Sequence, residues 1–385
     1  MSSRLKIVTI GPFPPLRGGI SDFHESLVIQ LSKRNDVTVL DFKSLYPKIF
    51  FPGKSQYSLD KSIFNNIHTI LKPLNFFSWL KGKSLIREKN PDRLILSYWS
   101  FFFIPIYMFL LGSTKRGNRY VLFHNVISHE NKIFEKFLLK LFIKKIDYCI
   151  VMNEYNKKLI LQINPRAKII KNFHPIYELP YSDSSSNIYK KDLNIEKKKT
   201  ILFFGLIRQY KGLDLLINAI ALSKDKLNDL KVLVVGESYQ SLDRYHKIIR
   251  DRDIEDSFIF VNSFISKADI KKYFLSSDLV VLPYKSASQS GVLSLAYNFN
   301  RPVIITDVGG LSDYVSDNKS GFIVQPNSQD ISNKINMFFG KNLFEEMSEF
   351  IKSDKKRFSW ESFEEKLDLY GWYKHRSSKN LSYCS

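Results

Sequence analysis

Cysteine is nearly absent from this chain of 385 residues: Cys149 lies in the apolar run DYCIVM and Cys384 sits beside the end. So little cysteine excludes a disulfide framework and points to a reducing, cytoplasmic setting. A membrane-spanning run is lacking too. The segment YWSFFFIPIYMFLLG, residues 98–112, offers fifteen residues with Pro105 in its middle, whereas a spanning helix needs about twenty. It reads as a buried or interfacial element. The opening RLKIVTIGPFPP holds only a short apolar run broken by glycine and proline, which is too little for the core of a signal peptide. Zinc-ligand spacing, an RNA-binding aromatic signature and a helix-turn-helix pattern are likewise missing, which sets nucleic acid aside as a partner.

Acidic residues are scarce relative to basic ones, 38 against 58, leaving a formal charge of +20. Such a field draws a protein toward phosphate-bearing small molecules or anionic lipid, although part of the lysine excess simply solvates exposed faces. With 44% hydrophobic and 14% aromatic residues, the chain has material for two packed cores, and its length favours two domains.

Short strand-like runs alternate with longer amphipathic stretches, the pattern of a parallel sheet covered by helices. The first half offers KIVTIG, DVTVLDF, RLILSYW, RYVLFHN and DYCIVMN, and the second TILFFG, KVLVVG, FIFVNSF, LVVLPY and RPVIITD. Between them, ELPYSDSSSNIYKKDLNIEKKK is polar and aperiodic, as linkers are. The expected organisation is α/β, with two Rossmann-like doubly wound domains facing a central cleft. Residues 1–180 form the first, 181–199 the linker and 200–358 the second; a C-terminal helix at 359–385 can cross back to the first.

In such sheets ligands bind beyond the carboxyl ends of the strands, so the strand-end loops carry the candidates. Gly18 and Gly19 follow KIVTIGPFPPLR and precede a helix. Gly205, Arg208 and Lys211 follow TILFF, Glu237 follows KVLVVG, and the small-residue run KSASQSG after LVVLPY supplies Ser288, Gln289, Ser290 and Gly291, with Val292 and Leu293 opening the next helix. Glycine lets backbone approach a ligand, helix N-termini offer N–H donors, and an arginine three residues from a lysine supplies a fork and a point charge. Together these loops suit a diphosphate. His24, His124 and His129 are further candidates; His124 has the strongest claim because it stands directly after a strand.

The stretches FFGLIRQYKGLDLLINAI, SDLVVLPYKSASQSGVLSLAYNFNRPVIITDVGGLSDYV, SGFIVQP and VLFHNVISHE resemble family 4 of the retaining glycosyltransferases, and the likeness runs from GPFPP to FSWESFEEKLDLY. The resemblance implies the GT-B fold and a nucleotide diphosphate-sugar donor, with 1–180 as the acceptor-binding and 200–358 as the nucleotide-sugar-binding domain. It assigns Arg208 and Lys211 to the diphosphate, Gly18 and Gly19 to the loop approaching it, Ser290 to Leu293 to the loop and helix start under the phosphates, and His124 to the sugar. It implies no metal and no cofactor, since fixed cations and N–H groups take the developing charge. One feature departs from the pattern. Two glutamates common in the family fall at about Ala287 and Leu295, so the ribose needs another anchor, for which Ser290, Ser294 and backbone are the candidates.

The expected activity is transfer of a hexosyl group, with retention, to a glycan or lipid-linked acceptor in surface polysaccharide synthesis. A noncatalytic nucleotide-sugar-binding protein and a sugar-nucleotide epimerase are the alternatives, the latter disfavoured by the few acids at these strand ends. Residues 131–145, NKIFEKFLLKLFIKK, space Lys132, Lys136, Lys140 and Lys144 four apart among Phe and Leu. That composition suits an interfacial helix on anionic lipid, and with it peripheral attachment at the inner face of the membrane.

Overall fold

The structure, a computed structural model, describes residues 4–45, 56–57, 62–127, 132–177, 179–181, 186–227, 229–370 and 372. His129 and Cys384 lie outside them. The chain divides into two compact units, Met1–Phe173 with Trp360–Ser385, and His174–Ser359.

The first unit is built on a seven-stranded parallel sheet, ordered β3-β2-β1-β4-β5-β6-β7. Its strands are β1 (Lys6–Ile10), β2 (Asp36–Phe42), β3 (Ile67–Leu71), β4 (Arg93–Tyr98), β5 (Arg119–Phe123), β6 (Tyr148–Val151) and β7 (Ile169–Lys171). The central strands are apolar on both sides because helices cover both faces. Helix α1 (Gly19–Ser32) links β1 to β2, whereas α2 (Phe76–Lys89), α3 (Ile104–Leu111), α4 (Lys132–Ile143) and α5 (Glu154–Ile163) step the other way across the sheet. Right-handed crossovers therefore put α1 on one face and the other four on the opposite one.

The aromatic segment at 98–112 is α3 with its approach. Phe103, Ile104, Ile106, Tyr107, Leu110 and Leu111 are buried in the core, so it serves packing rather than a bilayer. Among the described residues no helix is long and apolar enough to cross a membrane. Cys149 is buried in β6, where desolvation pushes its thiol up to about 12.

The second unit carries a six-stranded parallel sheet, ordered β10-β9-β8-β11-β12-β13. Its strands are β8 (Lys199–Phe204), β9 (Leu230–Val235), β10 (Phe258–Val261), β11 (Leu279–Leu282), β12 (Val303–Thr306) and β13 (Gly321–Val324). The polar stretch expected as a linker contains α6 (Ser186–Asp192), which packs on α9 (Ile270–Leu275) of this unit. Ser186 donates to the Leu275 carbonyl and Lys190 pairs with Asp278 at 3.0 Å. The division between the units accordingly falls at Phe173 and His174, ahead of that stretch.

Helix α13 (Trp360–Leu369) belongs to the first unit and packs against α1. Phe23 meets Trp360 and Phe363 edge-on at 5.2 and 6.3 Å. Gln30 donates to Glu364 at 2.9 Å and Asn172 to the Phe363 carbonyl at 2.9 Å. Beyond the helix, the buried Arg93 guanidinium donates to the Trp372 carbonyl at 2.6 Å. Apolar rings thus supply the burial energy, and polar pins set the register of the returning segment. Truncating Phe363 to Ala should destabilise the protein by about 3–5 kcal/mol, as for other buried aromatics; urea unfolding would read it, and a loss under about 1 kcal/mol would remove α13 from the core.

Candidate functional site

In the second unit the winding reverses between β8 and β11, which pair directly. The crevice beyond the carboxyl ends of such a strand pair is where open α/β sheets hold ligands. The loops at 205–212 and 283–290 frame it. Gly212 has φ +69°, and a Cβ there would stand 1.9 Å from the Pro283 carbonyl oxygen. Gly309, after β12, has φ +61° and would place a Cβ 1.5 Å from the Ala287 carbonyl oxygen. Only glycine combines these backbone angles with such contact, so three strand-end loops lie backbone against backbone. The Lys285 N–H donates to the Tyr210 carbonyl at 2.7 Å, Lys285 pairs with Asp214 at 2.6 Å, and the Thr306 hydroxyl donates to the Tyr284 carbonyl at 2.6 Å.

This frame brings most of the predicted residues together. Lys211 is buried, its Nζ 2.9 Å from the point where a Cβ on Gly205 would stand; Val292 Cγ2 is 3.5 Å from that same point. The lysine therefore lies beside the start of α10 (Gly291–Asn298). Burial pulls its ammonium below the usual lysine range and the Arg208 charge adds to the effect, partly offset by Tyr210. Arg208 is exposed at the mouth of the loop. Among the described residues no carboxylate pairs with either cation. Ser290 occupies the N-cap of α10 without capping it; its hydroxyl meets the Tyr284 hydroxyl at 3.3 Å. The first N–H groups of the helix have no side-chain cap, the arrangement that receives anions. Ser288 and Gln289 are half-buried in the approach, while Val292 and Leu293 bury their side chains and could serve a ligand only through backbone. Glu237, at the end of β9, accepts the Ile207 N–H on its carbonyl at 3.0 Å, joining the same group of loops.

Other expectations change. Ser294 is not free to hold a ribose: its hydroxyl donates to the Pro175 carbonyl at 2.9 Å and accepts the Tyr177 N–H at 3.0 Å. Leu295 is buried. Tyr284, whose ring lies 5.5 Å from Lys211 Nζ, was not singled out from sequence. It ends an ordinary-looking strand, LVVLPY, and only the contact with Lys211 gives it significance. Tyr177 is similarly new, its ring 3.6 Å from the Cβ position of Gly291.

Gly18, Gly19 and His124 lie in the first unit. Gly18 caps α1 at φ +124° with no atom within 4 Å of its Cβ position, and Gly19 starts the helix. His124 is buried after β5; its N–H donates to the Tyr98 carbonyl at 2.8 Å and its ring lies 5.0 Å from Phe23, edge to face. His24 is held to about 4 by burial and is therefore neutral, so its Nδ1–H donates to the Pro12 carbonyl at 3.0 Å. That bond ties down the loop before Gly18. The buried Asp41 does the same from β2, accepting the Phe13 and Phe42 N–H groups at 3.0 and 2.6 Å and the Thr69 hydroxyl at 3.3 Å.

Residues 185–357 match the model of the family described as glycosyl transferases group 1. The matched residues all lie in the second unit. They include the loops at 205–212 and 283–290. The chain is 27% identical over 155 residues to the D-inositol 3-phosphate glycosyltransferase of Corynebacterium aurimucosum, covering 39% of this chain and 37% of that one. It is 25% identical over 206 residues to the lipopolysaccharide 1,2-N-acetylglucosaminetransferase of Salmonella typhimurium, covering 50% and 54%. The chain thus spans about a third to a half of the length of these curated relatives. HepE of Anabaena, solved in complex with UDP, superposes with a TM-score of 0.74 over 96% of this chain and 100% of its own at 16% identity. Likeness at that identity establishes the fold, which is GT-B: two Rossmann-like units.

Burial pushes the Asp41 carboxyl up to about 7, against the pull of its N–H and hydroxyl donors. The folded protein therefore holds this proton between about pH 4 and 7, where the unfolded chain releases it near 3.9, so the group's contribution to stability declines as pH rises through that window. Asp41→Asn, which keeps a carbonyl acceptor for Phe13 and Phe42, should lose this decline. Its melting temperature should gain on the parent's between pH 4 and 7, and parallel pH profiles would show that Asp41 is ionised in the fold.

Proposed function

We propose that the protein is a retaining glycosyltransferase of family 4 that moves a hexosyl group from a nucleoside diphosphate sugar to a glycan or lipid-linked acceptor, at an anionic membrane surface. The observation that carries this reading is Lys211: a buried ammonium without a carboxylate partner among the described residues, beside an uncapped helix N-terminus. Such a charge is costly to bury alone and gains most when an anion arrives. A diphosphate supplies two phosphoryl groups, which Lys211 and Arg208 can divide between a buried and an exposed position.

In this reading the two cations and the N–H groups at Gly291 and Val292 stabilise the charge that develops as the sugar leaves. The departing phosphate oxygen then accepts the proton of the attacking hydroxyl on the same face, which gives retention. Ser288, Gln289 and Ser290, with Glu237 beyond Ile207, offer the remaining polar contacts to the donor, Gly205 keeps Lys211 close, and the family resemblance assigns Gly18 and Gly19 to the phosphates as well. His124 is assigned to the sugar, its ring held by Phe23. Fixed cations make a metal unnecessary, so chelator should leave the rate unchanged. The lipopolysaccharide enzyme among the relatives supports a surface-glycan acceptor, and the UDP complex among the fold neighbours supports a nucleotide donor.

A noncatalytic binding protein is the second reading, favoured by Ala287 and Leu295 standing where the family has glutamates. Donor hydrolysis without acceptor separates the two, since a binding protein would not turn donor over.

A thermal-shift panel of UDP, GDP, ADP and their sugar conjugates should single out one base, with about 2.7 kcal/mol of stabilisation at a hundred times the dissociation constant. A flat panel would overturn the donor site. Arg208→Ala should slow transfer by roughly 2–4 kcal/mol of barrier, a factor of about 30 to 1,000. Rates within a few fold of the parent would remove Arg208 from the chemistry.

A further inference from the structure

Helices α2, α3 and α4 form one layer on the first sheet, with α3 packed against both neighbours. The inner side of that layer is core, but its outer side is unusually apolar for exposed surface. On α2, Phe76, Phe77 and Leu80 are 53%, 74% and 44% exposed; on α4, Phe134, Phe137 and Leu141 are 60%, 60% and 38% exposed. The α4 residues are spaced i, i+3, i+7 and so share one stripe, and the exposed Lys136, Lys140 and Lys144 run beside it at four-residue steps. Lys81 stands four residues after Phe77 on α2. Phe76 meets Phe109 of α3 at 5.3 Å, and Lys83 lies over that same ring at 4.6 Å, which carries the aromatic surface from α2 onto α3.

Acids are nearly missing from this surface. The one acid of α4, Glu135, is buried, and that of α2, Glu88, stands near its last turn. Exposed phenylalanines interleaved with lysines match the interfacial region of a bilayer, where rings enter the acyl boundary and ammonium groups meet lipid phosphates. A protein partner would fit less well, because lysine is depleted at protein interfaces.

We propose that the outer face of the α2–α3–α4 layer docks the protein on anionic phospholipid, with Phe76, Phe77 and Leu80 inserting alongside Phe134, Phe137 and Leu141. This deepens the peripheral association in the proposed function, which it takes as given, and locates it on two helices instead of one. The aromatic α3 segment supports the layer from within.

The test is co-sedimentation of the full chain with phosphatidylcholine vesicles, with and without phosphatidylglycerol. Binding should require the anionic lipid and weaken as salt rises. Phe76→Ser with Phe77→Ser should weaken it by at least about tenfold, and Lys136→Gln with Lys140→Gln by about tenfold on the anionic vesicles. All four positions are solvent-exposed, and an unchanged nucleotide thermal shift would confirm that the variants fold. Variants that bind like the parent would overturn the docking face while leaving peripheral association standing. A parent that ignores anionic vesicles would overturn both, and one whose serine variants change only its sedimentation coefficient would mark a protein contact instead.

Discussion

The contact of backbone on backbone at the carboxyl end of the second sheet is what the candidate site depends on. Gly212 lies against Pro283 and Gly309 against Ala287, so the loops after β8, β11 and β12 stand in fixed relation before any side chain contributes. Tight loops cost conformational entropy, and glycine costs more of it than any other residue. The return is positional: Lys211 is carried to the start of α10, and Tyr284 is set between Lys211 and Ser290. A methyl group at either glycine would push two main chains apart, moving several polar groups together.

The electrostatics follow from that placement. Lysine usually escapes burial by extending its stem toward water, yet Lys211 is enclosed by the loop that bears it and by the helix opposite. Its depressed affinity for a proton shows that burial outweighs the local compensation. The tyrosine ring face offers some, but a cation over a ring gains far less than a charge loses on leaving water. The first unit solves its burial differently. His24 stays neutral, and Asp41 is surrounded by donors that only partly offset its desolvation. There the buried polar groups hold a loop; in the second unit they leave charge available.

Much of this was legible because the central strands of both sheets are continuous apolar runs, and a glycine or a polar residue marks where each strand stops. The strands missed by that reading, β3, β7 and β13, lie at sheet edges, where one neighbour is absent and the pattern weakens. IHTIL shows this, since most of its residues keep partial exposure. The stretch around α6 misled for a related reason: a helix that packs on the domain through a serine hydroxyl and a lysine carries no apolar stripe, so nothing in its periodicity separates it from a linker. At the site, Arg208, Lys211 and Ser290 were readable from their places after strands. Tyr284 and the commitment of Ser294 to Pro175 and Tyr177 depend on contacts across more than a hundred residues or around a turn, which spacing does not encode.

The two positions that lack glutamates bear on how a nucleotide would be held. A carboxylate accepting hydroxyl donors contributes about 1.5–3 kcal/mol, a neutral hydroxyl pair nearer 1. Tyr284 and Ser290 are neutral, and Ser294 is occupied. In the proposed reading, affinity therefore shifts from the ribose toward the diphosphate, where no added carboxylate weakens the field of Lys211 and Arg208. In the same reading, the omission removes negative charge from the place where the leaving group becomes more negative. Under that proposal, absence of the pair is compatible with catalysis: it trades ribose anchoring for a more positive phosphate site, to which the uncapped start of α10 would give direction.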